Sequence, residues 1–503
     1  MKVDTQKCIG CGLCEEVCPL EVIQVHEKKA KIAEGCCECK TCLKVCPEDA
    51  LRPDEKYEGE KCTACPVMCV IPEGYFGACK RYVNEKGKVV RKGRIHTYEE
   101  VKDIIKGEED ALIEEPLILG IGSGTTYPDF RPSPFIVSGI REGTEIVTVV
   151  TEAPLSYSGL KLKIDTDLYI GEETKSVYVL KKGRRKIGHV CTEEYGSKMI
   201  SLGGVNILTS KDGLFAAKTI YEILLGRWVK LYVEDGATVE ISLGKTPVVD
   251  GKKEEVMRVG CGSATTGLFA PTMMEAADEI IILDGHITGL FSEHPSGRYL
   301  GKKRSPIYIK GKKSTDGRYF LNKGRGIGGT DIERPLDVIE YVDWEKAKEG
   351  LTLLITETTG TFYAYFRLKG KEFVEEPPPK EALRFIELLR SSCEKSKVSA
   401  LFSAGIGGSA RAGVTKNPLR LTRAVHEGKV RITIGGARPF VFPGGGINFL
   451  VDVEKIKYGS IYLSPTPSFI LPIEYTMRRE TFEEIGGHIE ALRPVEEVLN
   501  MGK

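Results

Sequence analysis

The chain has 503 residues, 41% of them hydrophobic and 28% charged, with a formal net charge of +1. That length gives room for roughly two to four domains and a large buried core. The balanced charge, with basic runs such as KKGRRK (181 to 186) set beside acidic ones, leaves no stripe for nucleic acid. No charged leader followed by an apolar stretch opens the chain, and no apolar run approaches eighteen residues, so neither secretion nor a membrane span is expected. The expected setting is the cytoplasm, where reduced thiols stay free for metal. Glutamine is confined to Gln6 and Gln24 while Lys, Glu and Arg abound, a bias associated with hyperthermophiles.

Thirteen of the sixteen cysteines lie in the first eighty residues. CIGCGLCEEVCP (8 to 19) is repeated as CCECKTCLKVCP (36 to 47), the same C-x2-C-x2-C-x3-C-P run twice. Each 4Fe-4S cubane needs four thiolates, and in such paired runs the fourth cysteine serves the other cluster. Cys8, Cys11, Cys14 and Cys46 are therefore assigned to one cluster, and Cys36, Cys39, Cys42 and Cys18 to a second. Zinc rarely uses two interlocked four-cysteine runs, and secreted disulfide frameworks do not repeat this pattern. Cys37 is surplus to the count and reads as a bystander. Between the runs, the alternation through Val22, Ile23, Val25, Ala30 and Ile32 predicts a small hairpin.

CTACPVMCVIPEGYFGACKRY (62 to 82) follows, where Cys62, Cys65, Cys69 and Cys79 complete a third set. A third 4Fe-4S cluster and a structural zinc both fit the spacing; a cluster would extend the electron path toward the body, whereas zinc would staple the linker. The predicted units are a two-cluster ferredoxin domain (1–55), a four-cysteine metal or cluster module (56–96) and a catalytic α/β body (97–503) of two or three subdomains. The fold class is thus a multidomain α+β or α/β protein with glycine-rich loops.

In the body, TYEEVKDIIKGEE predicts a helix capped from Thr97 to Glu100, with Val101, Ile104 and Ile105 on its apolar face. Helices are predicted at 210–226, with Leu214, Ala217, Tyr221 and Leu224 inward, and at 377–397, with Cys393 in the interior. A third, at 417–428, has Asn417 as N-cap, Pro418 in the first turn and Gly428 beyond the end. Strands alternate with these, among them EIIILDGH, LTLLITETTG, VRITIGG and INFLVDV. Glycine-rich passages at 120–126, 259–271 and 400–413, about 140 residues apart, are compatible with a weak internal repeat. No G-x-G-x-x-G with a distal acid supports a Rossmann site.

SAGIGGSARAGVTKNPLRLTRAV, GGARPFVFPGGGINFLVDV, PTPSFILPIEYTMRR and the upstream CTACPVMC…GYFGAC module together resemble the 6-hydroxynicotinate reductase family over nearly the whole chain. The resemblance implies a ferredoxin-dependent oxidoreductase acting on CH–CH groups. It would add two electrons and two protons to 6-oxo-1,6-dihydronicotinate, with ferredoxin or a similar donor as partner. A flavin, FAD or FMN, is implied as the converter between one-electron clusters and a two-electron product.

The residues themselves name candidates. The loop AGIGGSARAG (404 to 413), with Gly407, Gly408 and Ser409, precedes the helix at Pro418, whose free N–H groups suit a carboxylate or phosphate. Arg411 and Arg438 are candidates for a bidentate pair with a substrate carboxylate, while tight turns alone would also explain the glycines. His286 and His294 are candidate proton donors, and equally surface or structural histidines. Glu474, in an apolar run, either has a raised pKa or pairs with Arg478 at i+4. A homo-oligomer is compatible with the chain. Competing readings are a non-catalytic electron-transfer partner of another enzyme and a sulfur-transfer enzyme using Cys191 or Cys261, which needs an accessible thiol in electropositive surroundings.

Overall fold

The computed structural model describes all residues except 66, 94, 102–103, 105–109, 125–130, 167, 193–197, 259–260, 286–287, 311, 314–318, 321–325, 458 and 502–503. At the N-terminus each cysteine run ends in one short helical turn, Leu13–Glu16 and Thr41–Lys44. The backbone repeats along with the cysteines: Gly10 and Gly12 in the first run, and Glu38 and Lys40 in the second, all take left-handed φ. A Cβ at Gly10 would fall 2.4 Å from the Lys28 carbonyl oxygen, so glycine is obligatory there. The predicted hairpin forms between Ile23–His26 and Lys29–Ile32. Lys2–Val3 pairs with Leu51–Arg52 and closes the unit.

In the next segment Glu60–Lys61 pairs with Val70–Ile71, and Tyr82–Glu85 pairs with Lys88–Arg91. Of the helix predicted after Thr97, the described part is Tyr98–Val101; Ile104, expected on its buried face, is 81% exposed, and Ile105 lies outside the described residues.

Beyond residue 110 the main elements are β1 (Thr144–Leu155), β2 (Gly159–Ile164), α1 (Gly213–Leu224), α2 (Gly262–Ala276), β3 (Glu279–Leu283), α3 (Pro295–Tyr299), β4 (Thr352–Glu357), α4 (Lys380–Ser391), β5 (Val398–Ile406), α5 (Gly408–Ala412), α6 (Pro418–His426), β6 (Ile447–Asp452) and β7 (Phe469–Arg478). β1 and β7 pair antiparallel from Ile146↔Arg478 to Leu155↔Phe469 at the centre of a six-stranded sheet. β2, β5 and β6 lie side by side in an eleven-stranded antiparallel sheet. The two sheets share one core: Phe402 of β5 meets Phe469 of β7 edge-on, with ring centroids 5.6 Å apart.

The eleven-stranded sheet is interrupted in sequence between Lys252–Lys253 and Val398. Within that interval a five-stranded sheet forms around β3 and β4, which run parallel, and it hangs from a two-strand neck, Val256–Arg258 against Cys393–Lys395. Every residue of β3 is buried, as a strand covered on both faces requires. Ile280 and Ile282 pack with Met273 of α2 and Phe385 of α4, while Ile281 and Leu283 pack with Ile307 and Val338.

Several sequence readings change here. α1 buries Ala216, Ala217, Ile220 and Ile223, leaving Leu214 59% exposed, so its inward face is rotated from the predicted one. α4 stops at Ser391, and Cys393 belongs to the neck strand. α6 keeps its predicted caps: the Asn417 side chain accepts from the Arg420 N–H, and Gly428 takes φ +75°. The three glycine-rich passages are not equivalent. Residues 120–124 form a loop clamped by carboxylates, 261 onward enters the fifteen-residue α2, and 405–408 leads from β5 into the one-turn α5. The 140-residue periodicity has no structural counterpart.

Phe385 is fully buried between α4, α2 and β3, its ring 6.4 Å from that of Phe269. Phe385→Ala is expected to destabilise the protein by about 3–5 kcal/mol. Chemical denaturation followed by fluorescence checks this, and a loss of less than about 1 kcal/mol would show that the inserted sheet does not rely on that layer.

Candidate cluster sites and active-site crevice

Two cavities in the N-terminal unit sort the cysteines. One, of about 370 Å³, is lined by Cys8, Cys11, Cys14 and Cys46. The other, of about 310 Å³, is lined by Cys18, Cys36, Cys39 and Cys42, with Cys37 as a fifth cysteine in its wall. Each run thus sends its fourth cysteine to the other run's cavity, the arrangement a pair of 4Fe-4S cubanes requires. Backbone N–H groups already face the sulfurs: Ala30 N lies 3.4 Å from Cys8 Sγ and Ala50 N 3.2 Å from Cys46 Sγ. Burial pushes the Cys42 thiol up to about 12, helped by Cys39, Cys36 and Cys14. Such a pocket resists bare thiolates and favours them once iron supplies positive charge. Each set has one buried thiol, Cys14 and Cys42, and of the two sets only the first has an exposed one, Cys11.

In the third set Cys62 and Cys69 are buried while Cys65 and Cys79 are exposed. The Cys62 N–H donates to the Cys69 carbonyl at 2.8 Å. Among the described residues, no three His, Cys, Asp or Glu side chains converge as a single metal ion would need. The segment packs on the ferredoxin unit, where the Tyr57 hydroxyl donates to the Cys36 carbonyl and the Tyr75 hydroxyl to Glu34.

The second cysteine run meets the body directly. The Lys44 ammonium lies 3.5 Å from the centroid of the Tyr299 ring, and Lys40 Nζ donates to the Tyr299 carbonyl at 3.4 Å. Tyr299 ends α3, and His294 caps its start, with Nδ1 accepting from the Ser296 N–H at 3.1 Å. The imidazole lies against α2, where a Cβ at Gly267 would come within 3.3 Å of its Cε1. Burial, then the Lys44 ammonium, lowers the His294 pKa to about 4. His294 is therefore neutral near pH 7 with its proton on Nε2, which makes it a helix cap rather than the imidazolium donor expected from sequence. His286 lies outside the described residues.

α2 runs from this contact to the carboxyl ends of β3 and β4; open α/β sheets bind ligands in the crevice at such ends. Leu283 and Glu357 are parallel partners at that end, followed by the buried Asp284 and Thr358. Glu357 Oε1 accepts from Thr361 N at 2.8 Å and Phe362 N at 3.3 Å. Glu254 Oε2, Thr358 Oγ1 and the Tyr169 hydroxyl are buried polar atoms without a hydrogen-bond partner among the described residues. Burial raises the Glu254 pKa, the Glu357 carboxylate adds to this, and Lys198 and Lys252 oppose it. Cys261, the N-cap of α2, is buried, and burial and then the Asp284 carboxylate push its thiol up. It lacks the accessible, electropositive surroundings that sulfur transfer demands. Cys191 is half-buried opposite Met199.

The remaining candidates lie elsewhere. Arg411 donates to the Pro418 carbonyl, Thr422 Oγ1 and the Gly407 carbonyl, so its guanidinium ties α5 to α6. Arg438 pairs with Glu114 at 2.7 Å, an acid it shares with Arg431. Glu474 is not an i+4 partner of Arg478: both lie on β7, about 13 Å apart along a strand, and Arg478 pairs with Asp110. Glu474 instead accepts from Gly120 N at 2.8 Å, Thr433 Oγ1 at 2.6 Å and Gly436 N at 3.2 Å, and burial raises its pKa against these donors. Gly407 and Gly408 are exposed, and a Cβ on either would meet nothing. Gly407 borders a recess of about 820 Å³ walled by Tyr157, Phe442 and Asn448, and Ser409 is half-buried behind it.

Sequence reasoning missed Glu254, Glu357, Asp284 and Tyr169. The available signal was that two apolar strands, EIIIL and TLLIT, each end on an acid followed by glycine or threonine.

Residues 1–24 match the 4Fe-4S binding domain family. Over 28 residues, 6% of this chain and 48% of the relative, the sequence is 57% identical to Ferredoxin-2 of Desulfomicrobium norvegicum. Over 504 aligned positions, 99% of both chains, it is 44% identical to the 6-hydroxynicotinate reductase of Eubacterium barkeri. The chain belongs to the 6-hydroxynicotinate reductase family. It is accordingly an iron–sulfur oxidoreductase, and a purely non-catalytic role is set aside. No solved structure matches this member of the 6-hydroxynicotinate reductases, and among the described residues no helix is long and apolar enough to cross a membrane.

Cys46 lines the first cavity although it lies in the second run. Cys46→Ala and Cys11→Ala are therefore expected to remove the same signal from the electron paramagnetic resonance spectrum of reduced protein. A Cys46→Ala spectrum that matched Cys39→Ala would overturn the crossed assignment.

Proposed function

We propose that this chain takes electrons singly from ferredoxin or a similar donor in the cytoplasm and reduces a carboxylated cyclic or heteroaromatic compound of the 6-hydroxynicotinate type. The observation that carries this reading is the seating of the second cysteine run on Tyr299. Electrons arriving at the exposed first set would pass to the second and enter the body beside α2. From Gly267 to Cys261 is six residues, about 9 Å of helix, to the crevice.

The two ferredoxin sets hold 4Fe-4S clusters in this reading, and the third set a further one, which would extend the electron path toward the body. A bound flavin, FAD or FMN, would collect single electrons and deliver them as a pair. Gly407, followed in the chain by Gly408 and Ser409, borders a recess whose open backbone and aromatic walls, Tyr157 and Phe442, suit a flat conjugated ring. Arg411 and Arg438 would read a carboxylate only by giving up their present partners.

The reduction also consumes two protons. Glu254 is the group in the crevice prepared to give one: its unpartnered Oε2 is buried and its carboxyl is held above the ordinary range. A raised carboxyl pKa keeps the donor form at higher pH, and that form is lost as pH rises through the raised value. General-acid catalysis contributes typically 10²–10⁴-fold, so Glu254→Gln is expected to lower kcat with 6-hydroxynicotinate by about 100-fold. It should also abolish the high-pH fall in kcat/KM. A pH profile that is the same in both proteins would remove Glu254 from the reaction.

A further inference from the structure

Lys198 opens the strand Lys198–Gly203 and is 8% exposed. Among the described residues its ammonium makes one hydrogen bond, to the Thr166 carbonyl at 2.7 Å, and no ion pair. Three N–H donors are thus met by a single neutral acceptor. Buried charges are ordinarily paired, because taking one out of water costs far more than one such bond offsets. A staple on Thr166 would need only a neutral donor, so the charge itself calls for an anion from outside the chain.

Hydrogen bonds place that ammonium near Glu254 and the end of β3. Thr166 Oγ1 accepts from the Leu168 N–H at 3.2 Å, closing the turn that leads to Tyr169. Tyr169 packs where β3 ends, since a Cβ at Gly285 would fall 3.0 Å from the Tyr169 Cβ. On the other side of Thr166, the Asp165 N–H donates to the Lys397 carbonyl at 3.0 Å, and the Ser396 N–H to the Glu255 carbonyl at 2.9 Å. The segment that holds the ammonium is thereby tied to the chain neighbour of Glu254. The charge is felt there: burial, then the Glu357 carboxylate, raises the Glu254 pKa, and Lys198 is the first group to oppose them.

We propose that Lys198 is the residue that selects a carboxylated substrate, its two unmet N–H groups donating to the carboxylate oxygens and leaving the ring beside Glu254. This rests on the reading of the crevice as the site of reduction. Arg411 and Arg438 must break existing bonds to bind a carboxylate, whereas Lys198 breaks none. The pairing also serves the proton transfer. An anion on Lys198 cancels the charge that opposes protonation of Glu254, so a carboxylated ring strengthens its own proton donor's hold on the proton until reduction begins, and an uncharged analogue does not.

The test is steady-state reduction of 6-hydroxynicotinate and of its carboxamide, 6-hydroxynicotinamide, by full-length holoenzyme of wild type, Lys198→Gln and Lys198→Arg. Glutamine keeps a donor for Thr166 and loses the charge, while arginine keeps the charge. Wild type is expected to favour the acid in kcat/KM by about 10- to 100-fold, the worth of a hydrogen bond to a charged group. Lys198→Gln should lose that preference, and Lys198→Arg should keep the acid ahead. No preference in wild type, or an equal loss for acid and amide in Lys198→Gln, would reduce Lys198 to a staple of the 166–169 turn and overturn this proposal alone. Wild type that reduces neither compound would overturn the functional reading itself, and this proposal with it. Should Lys198→Gln not fold, wild type is treated with the N-hydroxysuccinimide ester of 6-hydroxynicotinate and digested for mass spectrometry. An acyl group on Lys198 that excess 6-hydroxynicotinate prevents is the expected result, and a Lys198 that stays unlabelled, or is labelled without protection, would contradict the proposal.

Discussion

The contact of Lys40 and Lys44 with Tyr299 decides whether the cysteine-rich segment is part of the enzyme or a passenger on it. The two cysteine runs are near-copies, and their differences fall where they matter. Gly12 and Glu16 of the first run correspond to Lys40 and Lys44 of the second. Lys40 keeps the left-handed backbone that Gly12 adopts, a strained choice for a residue with a side chain, and that side chain reaches the body. The first run, with Glu15 and Glu16 on its turn and Cys11 exposed, stays open to solvent. A duplicated motif has become directional, one copy facing outward and the other inward.

The body gives that direction a destination. Two sheets with a common core, antiparallel but for one edge strand, form a frame, and the α/β unit is inserted between two strands of the larger one. Its parallel pair leaves two carboxyl ends beside the start of α2, the same helix that rests on His294 near the docking point. Elsewhere buried acids do structural work: Glu474 and Glu152 hold the 120–124 loop through the N–H groups of Gly120, Gly122 and Gly124. A carboxylate in an apolar stretch is thus no sign of catalysis when backbone donors surround it.

The cysteine sets were legible in the sequence because cubane geometry dictates their spacing, and α6 because its caps act within a few residues. The present partners of Arg411 were not legible in the sequence because one of them, Thr422, stands eleven residues away on the next helix. For Glu474 the raised pKa was legible from its apolar run, while the alternative i+4 pair with Arg478 fails because β7 is a strand, buried on both faces and so without alternation to announce it. The crevice was invisible: Tyr169, Glu254, Asp284 and Glu357 belong to four distant segments, and only the insertion of one sheet into another gathers them.

The most direct test of the electron route is a single-turnover experiment on Lys44→Glu, which reverses the charge over Tyr299 while leaving every cysteine in place. Enzyme reduced beforehand is mixed with 6-hydroxynicotinate, and reoxidation of the clusters is followed by their visible absorbance. Reduction of the variant by ferredoxin should proceed at the wild-type rate, and its reoxidation by substrate should slow at least tenfold. Reoxidation at the wild-type rate would mean that electrons leave the ferredoxin unit somewhere other than Tyr299.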